Sequence, residues 1–584
     1  MTSSGQDDGV LQTGSGADSS RPVLILGAGI NGCAVARELA LNGVPVWLVD
    51  SGDIARGATS RSSRLIHGGL RYLEYRDVAL VRESLRERER LLQLAPQFVT
   101  PLRLAIPVSS WLGGLVTAAC RFTGLARVGV SFGKPGRRGL IAVRSGLTLY
   151  DWLAGRSSLR KHRVSVLKSG AEAESQSTPQ VDRRTFRWVC EYSDAQMLYP
   201  ERFVLALLAD AKQAANEAGS SFEIRTWSRV SRNGNRFQIA RDSETGDESE
   251  VLSVEPALVV NATGAWGDLT LESLDVKEPR LFAGTKGSHL YSRHAGLREA
   301  LCGAGIYAEA ADGRLVFILP CGEGTLIGTT DLPFEQSLEE AVVDEEEVAY
   351  LVAMVNSVFE SVELTAADVE MRHAGVRPLP RVDAARTAAI PRGHSIHISM
   401  QDAVEVLTLI GGKLTTCRTL AEEVADRVLE ATGRTRVAGT ASRVVPGGED
   451  WPGSAELIDT RIRDLGDRYG LSVAQTNAVW TLIGNRFEDV FSPTDSEPDR
   501  RSLSGTEIPL EFVRWSIRNE EGRTLEDVVE RRLMLTFSAG LTRSTLRELA
   551  EELVDAGRLA ADEVESAIDG ASIRMRHYYG KLVN

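Results

Sequence analysis

A glycine-rich turn near the start of the chain constrains the fold more than any other feature. The apolar run Val23–Leu26 leads into residues 27–32, GAGING, which match G-x-G-x-x-G, and small and apolar residues then recur at helical spacing over residues 31–41. A second apolar run, Val46–Val49, ends on Asp50, eighteen residues beyond the last glycine. This order predicts a strand–turn–helix–strand unit that binds an adenine dinucleotide.

The residues of this turn have separate physical roles. Gly27 permits the tight turn, Gly29 lets backbone N–H groups approach a pyrophosphate, and Gly32 allows the helix to pack closely. Asn31 opens the helix, whose N-terminus attracts phosphate, and Asp50 is placed to bind ribose hydroxyls. An acidic residue at position 50 disfavours NADP, whereas FAD and NAD share the fingerprint. A glycine-rich turn without a ligand is the structural alternative.

Two later turns favour FAD. An apolar strand runs into small residues over 259–265, and LTLIGGKLTT at 407–416 repeats this arrangement before a predicted helix. A long cofactor contacted at three places would explain all three turns, although either later turn alone is more typical of an ordinary strand–turn junction. The cofactor-binding residues predicted from these two turns are Ala262, Thr263, Gly264, Gly412, Lys413, Leu414 and Thr415.

The composition excludes several classes of protein. With 43% apolar and 25% charged residues over 584 positions, the chain is typical of a soluble α/β or α+β protein rather than a disordered, collagen-like or polytopic membrane protein. The net charge of −13 disfavours nucleic-acid binding. Six scattered cysteines without a C-x-x-C pair indicate neither a disulfide framework nor a metal site, and no window of about 18 residues is apolar enough to predict a transmembrane helix.

The chain divides into three predicted parts. Residues 1–20 are rich in Gly, Ser, Thr and Asp and lack Lys and Arg, which predicts a disordered tail. Residues 21–440 form the nucleotide-binding unit, with an interleaved strand-rich region over 165–260 in which Asn233-Gly234 joins a strand over 222–230 to another over 237–241 as a hairpin. A glycine- and proline-containing boundary at 446–448 precedes a helical pattern, so we predict a separate helical domain over 441–584.

A set of ordered motifs makes the chain resemble a known family. A Ser/Thr-rich loop runs into LIHGGLRYLE at 65–74, and the other matching stretches are NATGAW (261–266), TKGSH (285–289), IGTTD (327–331), GVRPL (375–379), GGKLTT (411–416) and RNEEGRTLEDVVERR (518–532). Together they cover residues 21–560 and resemble the FAD-dependent, aerobic-type glycerol-3-phosphate dehydrogenase family. The resemblance implies an α/β fold with an FAD-binding Rossmann-like domain, a β-rich substrate domain of the amino-acid-oxidase type and a C-terminal helical domain.

The resemblance also implies an activity, the FAD-dependent oxidation of sn-glycerol 3-phosphate to dihydroxyacetone phosphate with electrons passed to a membrane quinone. Oxidising a secondary alcohol requires a base for the hydroxyl proton and cations for the phosphate and the developing alkoxide. The residues that the motifs assign to the site are His67, Arg377 and Lys413 for catalysis, Arg71, Tyr72, Arg377, Thr330 and Asp331 for the substrate, and Thr59, Ser60, Ser63, His67, Gly68 and Gly69 for FAD.

Each of these assignments has a simpler structural alternative. His67 is the candidate base, but a histidine packed on the flavin fits the pattern equally well. Thr330 and Asp331 suit a polar turn, Arg377 suits a surface salt bridge, and Lys413 suits a solvated helix start. The motif context favours function at Arg377, and the apolar strand just before Lys413 favours burial with a partner.

The chain departs from the family at three places, of which the first two bear on the substrate. Arg64 stands where a lysine is expected, residues 198–201 read Leu-Tyr-Pro-Glu where acidic residues are expected, and the region 109–163 is longer than usual. Another phosphorylated or acidic alcohol is therefore an alternative substrate. An oxidase that uses oxygen, an NAD-dependent dehydrogenase and a non-catalytic flavin-binding protein are the rival functions.

Residues 101–163 concentrate positive charge beside aromatic side chains. They include eleven Lys or Arg residues and one acidic residue, Asp151, together with Trp111 and Trp152. This composition is typical of a surface resting on anionic lipid, and it predicts a cytoplasmic protein bound peripherally to the inner face of the cytoplasmic membrane. A basic loop that covers the core or pairs with the helical domain is the alternative. A homodimer is compatible with the sequence, which does not determine the oligomeric state.

Overall fold

Two large β-sheets, a small one and a group of C-terminal helices make up the part of the protein that the computed structural model describes. That part comprises residues 21–112, 139–167, 178–241, 251–310, 312–382, 391–402, 404–492 and 498–584. The predicted tail over 1–20 and residues 113–138 of the basic region lie outside it.

The first sheet has six strands and contains the strand that leads into the glycine-rich turn. Val23–Leu26 is completely buried and pairs in parallel with Val46–Val49 on one side and with Leu258–Asn261 on the other. Parallel strands point their carboxyl ends to the same edge of a sheet, so the turns that follow them converge there. Across the sheet the strands are Ser395–Gln401, which is antiparallel, then Val404–Ile410, Leu258–Asn261, Val23–Leu26, Val46–Val49 and Phe222–Arg225.

The second sheet has ten strands and carries the motifs TKGSH, IGTTD and GVRPL. One of its two longest pairings joins Phe282–Ser292 to Met371–Pro380 and sets Thr285 opposite Arg377. Across the main path the strands are Leu332–Pro333, Phe282–Ser292, Gly324–Gly328, Leu315–Cys321, Gly305–Glu309, Val99–Val108, Trp188–Met197 and Leu65–Ile66, with Met371–Pro380 paired to Phe282–Ser292 and Arg163–Val166 paired to Trp188–Met197. A small third sheet contains Ser228–Asn233, Arg236–Arg241 and Val251–Val254.

Helices cover these sheets and form the C-terminal part. The α-helices before residue 440 are Ile30–Leu41, Val78–Leu94, Leu140–Ala154, Pro200–Ala218, Gly267–Ser273, Ala295–Leu301, Glu345–Val358 and Cys417–Ala431. Those after it are Ala455–Tyr469, Val473–Ile483, Phe487–Phe491, Leu510–Asn519, Leu525–Asp527, Arg543–Asp555 and Val564–Tyr579, with a π-helical turn at Val528–Arg532. Short 3₁₀ turns lie at Leu70–Tyr75, Gly264–Trp266, Leu338–Glu340, Ala366–Asp368, Leu414–Thr416, Leu535–Phe537 and Ala561–Glu563. Among the described helices, none combines the length and apolar character needed to cross a membrane.

The structure confirms a hairpin here but places its two-residue turn at Gly234-Asn235 rather than Asn233-Gly234, because Asn233 ends the first strand and pairs with Arg236. The strands around this turn also differ from the prediction. The predicted strand over 222–230 is wrong, because the chain breaks near Trp227, which has a φ of 53°, into Phe222–Arg225 of the first sheet and Ser228–Asn233 of the third. The strand-rich region also contains the 19-residue helix Pro200–Ala218. Residues 200–208 of that helix are all buried, and the apolar run over 203–208 is as typical of a buried strand as of a helix.

The glycine-rich turn packs with no room for side chains. A Cβ at Gly32 would lie 1.9 Å from the carbonyl oxygen of Gly27, and a Cβ at Gly27 would lie 2.6 Å from the carbonyl oxygen of Ala262. Gly27 also has a φ of 100°, which strongly favours glycine. The helix Ile30–Leu41 therefore sits directly on the backbone of the turn that precedes it.

This packing predicts whether replacing Gly32 by alanine raises or lowers the free energy of unfolding. Alanine is favoured over glycine in helices by up to about 1 kcal/mol, so propensity alone would make Gly32→Ala stabilising. Because the new methyl group would overlap the carbonyl oxygen of Gly27, we expect a loss of about 1–3 kcal/mol in the free energy of unfolding. Denaturant unfolding of the full-length parent protein and of the variant measures this loss of stability.

Gly570→Ala is the matched control, since Gly570 also lies within a helix, Val564–Tyr579, and a Cβ there would meet nothing within 4 Å. We expect this variant to be neutral or more stable. Equal unfolding midpoints for the two variants would contradict the packing argument.

Candidate active site

A cavity of about 580 Å³ lies at the edge of the first sheet where the parallel strands end. Its wall combines the glycine-rich turn, the loop after Asp50, the turns after Leu258–Asn261 and Val404–Ile410, and part of Met371–Pro380 from the second sheet. This edge is where open α/β sheets bind ligands. A ligand in the cavity would therefore contact both large sheets.

One end of the cavity is suited to a nucleotide. The Asp50 carboxylate accepts hydrogen bonds from the N–H groups of Ala28, at 2.7 Å, and Gly52, at 2.9 Å, which fix its orientation toward the cavity. The Thr59 hydroxyl accepts the N–H of Ile30 at 3.1 Å, so the loop after Asp50 is tied to the start of the helix. Burial raises the pKa of Asp50. A ribose hydroxyl would supply a donor to this buried carboxylate.

The other end of the cavity brings together cationic and aromatic side chains from three distant parts of the chain. His67, Tyr72, Arg377, Arg392 and Lys413 all line it. The Lys413 ammonium lies 3.9 Å from the centroid of the Tyr72 ring, close enough for a cation–π interaction. The ring centroids of His67 and Tyr72 are 6.4 Å apart.

Burial sets the protonation of His67 and Lys413 in this cluster. It lowers the pKa of His67 to about 4, so the imidazole is neutral at pH 7. It lowers the pKa of Lys413 to about 7, so the amine is near half-protonation at that pH. Lys413 Nζ has no hydrogen-bond partner among the described residues, which leaves it available to a ligand.

Arg377 is held in place from two sides. Its Nη1 donates to Asp331 at 3.1 Å and its Nη2 donates to the Thr329 hydroxyl at 3.0 Å. Gly287, on the neighbouring strand, makes room for it, because a Cβ there would lie 2.2 Å from Arg377 Nη2. Arg392 contacts the second oxygen of Asp331 at 3.0 Å, so one carboxylate orients two guanidinium groups.

Most of the residues predicted from the sequence lie in the cavity wall. Those that line it are Gly27, Gly29, Asn31, Asp50, Thr59, Ser63, His67, Tyr72, Ala262, Thr263, Gly264, Arg377, Gly412, Lys413, Leu414 and Thr415. The predicted site residues that do not line the cavity are Gly32, Ser60, Gly68, Gly69, Arg71, Thr330 and Asp331.

The residues outside the wall support those that line it. The Thr330 hydroxyl donates to Glu347 at 2.7 Å, so it faces the protein interior rather than the substrate. The Ser60 hydroxyl contacts backbone carbonyls of its own loop, and the Gly68 N–H donates to the Tyr150 hydroxyl at 2.9 Å. Asp331 contacts the two arginines instead of the cavity, and Arg71 acts electrostatically on Tyr72.

Among the lining residues that the sequence analysis did not assign, His289 and Arg392 carry polar groups suited to a ligand. His289 lies 2.8 Å from the Ser63 hydroxyl through Nε2, stacks on His373 at 4.9 Å, and has a pKa that burial lowers to about 3. His289 could have been assigned from the sequence, because it is the last residue of the TKGSH motif. Arg392 belongs to none of the motifs, and only its contact with Asp331 reveals it.

The residues at the two departures from the family, Arg64 and residues 198–201, contact each other directly. Arg64 forms a two-pronged ion pair with Glu201, with nitrogen–oxygen distances of 2.7 and 3.0 Å, and it also donates to the Leu198 carbonyl. Both charged side chains are only 1% exposed. The guanidinium group of Arg64 is thus committed to protein partners, and it fixes the loop before His67 rather than offering charge to a substrate.

Comparison with known proteins identifies the family to which the chain is similar. Residues 22–427 match the family model described as FAD dependent oxidoreductase. The chain is 32% identical to a glycerol-3-phosphate dehydrogenase of Synechocystis over 91% of this chain and 92% of that protein, and 32% identical to a D-erythritol 1-phosphate dehydrogenase of Brucella abortus over 87% and 93%. A solved glycerol-3-phosphate dehydrogenase from Bacillus halodurans, complexed with FAD, shares the fold at a TM-score of 0.68 and 20% identity over 96% of both chains.

The cavity fits FAD, the cofactor of this family. The glycine-rich turn and Asp50 line the nucleotide end, and the buried polar atoms of the wall that have no hydrogen-bond partner among the described residues include Asn31 Oδ1 and Lys413 Nζ. Such atoms are costly to bury unless a ligand satisfies them. The chain belongs to the FAD-dependent oxidoreductases and, among them, to the FAD-dependent glycerol-3-phosphate dehydrogenase family.

Proposed function

We propose that this protein oxidises sn-glycerol 3-phosphate to dihydroxyacetone phosphate and passes the electrons to a membrane quinone. The observation that carries the proposal is the group of three cationic side chains, Arg377, Arg392 and Lys413, beside His67 and Tyr72 at the end of the cofactor cavity. The names of the relatives support a phosphorylated polyol as the substrate, since they specify glycerol 3-phosphate and D-erythritol 1-phosphate.

The arginines are suited to the phosphate group. A guanidinium group binds phosphate oxygens through two parallel hydrogen bonds, and Asp331 presents Arg377 and Arg392 side by side. A phosphate dianion at this end of the cavity would meet several positive charges in a partly dehydrated site. The dianion would therefore anchor the substrate and place its hydroxyl-bearing carbon beside His67 and Lys413.

The proton and the hydride leave the substrate by different routes. Bound FAD supplies the hydride acceptor for the hydroxyl-bearing carbon. His67, which is neutral at pH 7, accepts the hydroxyl proton. The protonated form of Lys413 stabilises the negative charge that develops on the substrate oxygen.

Replacing Arg377 tests the phosphate assignment. We expect Arg377→Ala to retain FAD and to lower kcat/KM for sn-glycerol 3-phosphate by about 10²–10³, because one strong donor to a developing or fixed anion is lost. Arg372→Ala is the matched control, since Arg372 lies on the same strand but pairs with the exposed Glu345. Equal kcat/KM values for the two variants would rule out Arg377 as a substrate ligand.

The proposed roles of His67 and Lys413 predict a pH profile. Since His67 acts as a neutral base, activity is lost as pH falls through about 4, and since Lys413 acts as a cation, activity is lost as pH rises through about 7. We therefore expect a bell-shaped dependence of kcat/KM in the free enzyme.

Two variants separate the limbs of this profile. Lys413→Met should remove the alkaline limb, and Lys413→Arg should move it upward, because a guanidinium group stays charged. An alkaline limb that persists in Lys413→Met at the same pH would show that another group titrates there.

Exposed aromatic and basic side chains around the helix Leu140–Ala154 support the membrane part of the proposal. Trp152 is 69% exposed and Trp111 is 59% exposed. Arg144, Arg156 and Lys161 are exposed nearby in the chain. Aromatic rings insert at the lipid interface while basic groups contact anionic headgroups, which would bring the enzyme to a quinone dissolved in the bilayer.

A flotation assay with vesicles of anionic phospholipid tests this surface. We expect the double variant Trp111→Glu/Trp152→Glu to lower the partition coefficient at least about tenfold, because two large apolar groups no longer insert. Val437→Glu/Val473→Glu, at two other exposed apolar positions, is the control and should float like the parent protein. Equal flotation of both variants would place the lipid contact elsewhere.

A further inference from the structure

The C-terminal part of the chain holds the loop that follows Asp50 through a buried ion cluster. Asp53 accepts hydrogen bonds from Arg532 at 2.6 and 2.7 Å and a further one from Arg531. All three side chains are almost completely buried, with Asp53 and Arg532 at 0% exposure. A buried guanidinium group requires its counter-ion, so the position of Asp53 is fixed by the two arginines.

The same cluster supports a second contact further along the loop. Glu530 accepts from Arg531 at 2.7 Å and from the Tyr579 hydroxyl at 2.6 Å. The Tyr579 ring in turn lies 4.5 Å from the guanidinium carbon of Arg61, a cation–π contact. A third contact joins Arg64 to the ring of Phe537 at 4.6 Å.

The loop held in this way is a large part of the cavity wall. Between Asp50 and Leu65 it contributes the lining residues Ser51, Arg56, Gly57, Ala58, Thr59, Arg61, Ser62, Ser63 and Arg64. No described residue beyond Thr415 lines this cavity. The C-terminal helices therefore reach the cavity through the elements they contact, and among these the loop supplies more lining residues than the strand Met371–Pro380, against which Val564–Tyr579 also packs.

We propose that Arg531, Arg532 and Tyr579 are positioning residues through which the C-terminal helices set the affinity for FAD. Contacts at Asp53, Arg61 and Arg64 hold the loop in its binding conformation before the cofactor arrives. Preorganisation of this kind strengthens binding because ordering the loop no longer costs conformational entropy at the moment of association. The inference concerns the cofactor and is independent of the identity of the substrate and of the acceptor.

The charge-balanced double variant Asp53→Asn/Arg532→Gln tests this inference. It removes one charge of each sign, so the cluster stays neutral while its strongest contact with the loop is weakened. We expect the dissociation constant of FAD to rise at least about tenfold. The constant is obtained from the fluorescence of FAD released on serial dilution of the full-length holoenzyme.

Arg514→Gln/Glu552→Gln is the matched control. This ion pair, with nitrogen–oxygen distances of 2.7 Å, joins two C-terminal helices and does not contact the loop. We expect it to lower the melting temperature of the protein while changing FAD affinity less than about twofold. Equal losses of FAD affinity in both double variants would mean that the C-terminal helices act only through general stability, and would overturn the proposal.

Two single variants of Tyr579 test the same proposal if Asp53→Asn/Arg532→Gln does not fold. Tyr579→Phe keeps the ring beneath Arg61, whereas Tyr579→Leu removes it. We expect weaker FAD binding for Tyr579→Leu and near-parental binding for Tyr579→Phe. Equal FAD affinities for these two variants would contradict a positioning role for the ring.

Discussion

The direct contact between the glycine-rich turn and the turn after Leu258–Asn261 is the constraint on which the rest of the structure depends. The backbone at Gly27 approaches Ala262 and Thr263 so closely that no Cβ fits between them. Both turns follow parallel strands of one sheet, so this contact draws the wall of the cavity together at a single edge. The loop after Asp50 then closes over that edge and leads to His67.

Four arginines at or behind the cavity wall divide into two groups with different consequences. Arg64 pairs with Glu201, and Arg532 pairs with Asp53, so each of these charges is compensated within the protein and stabilises the loop. At the end of the cavity away from Asp50, two guanidinium groups contact one carboxylate, that of Asp331, and Lys413, whose pKa burial lowers to about 7, lines the same end. Arg64 and Arg532 hold the loop that forms the cavity wall, whereas Arg377 and Arg392 make the end of the cavity near Lys413 favourable for an anion.

Local sequence patterns identified the features that depend on neighbouring residues. The glycine-rich turn, Asp50, the hairpin over residues 228–241 and the turn residues at 262–264 and 412–415 are all encoded within short stretches, because turn geometry and strand burial are local properties. The helix Pro200–Ala218 escaped prediction because residues 200–208 are all buried, and the apolar run over 203–208 has no polar position to mark the helical period. Arg64 and Glu201 are 137 residues apart, and Arg532 and Asp53 are 479 apart, so no local pattern reveals these pairings.

The most direct test of the account is an anaerobic titration of the FAD-loaded protein with sn-glycerol 3-phosphate, followed by the visible absorbance of the flavin. The account predicts that the substrate bleaches the flavin stoichiometrically and that a quinone analogue then restores the colour faster than oxygen does. Bleaching by D-erythritol 1-phosphate but not by sn-glycerol 3-phosphate would contradict the proposed substrate, and no bleaching by either would contradict the proposed chemistry.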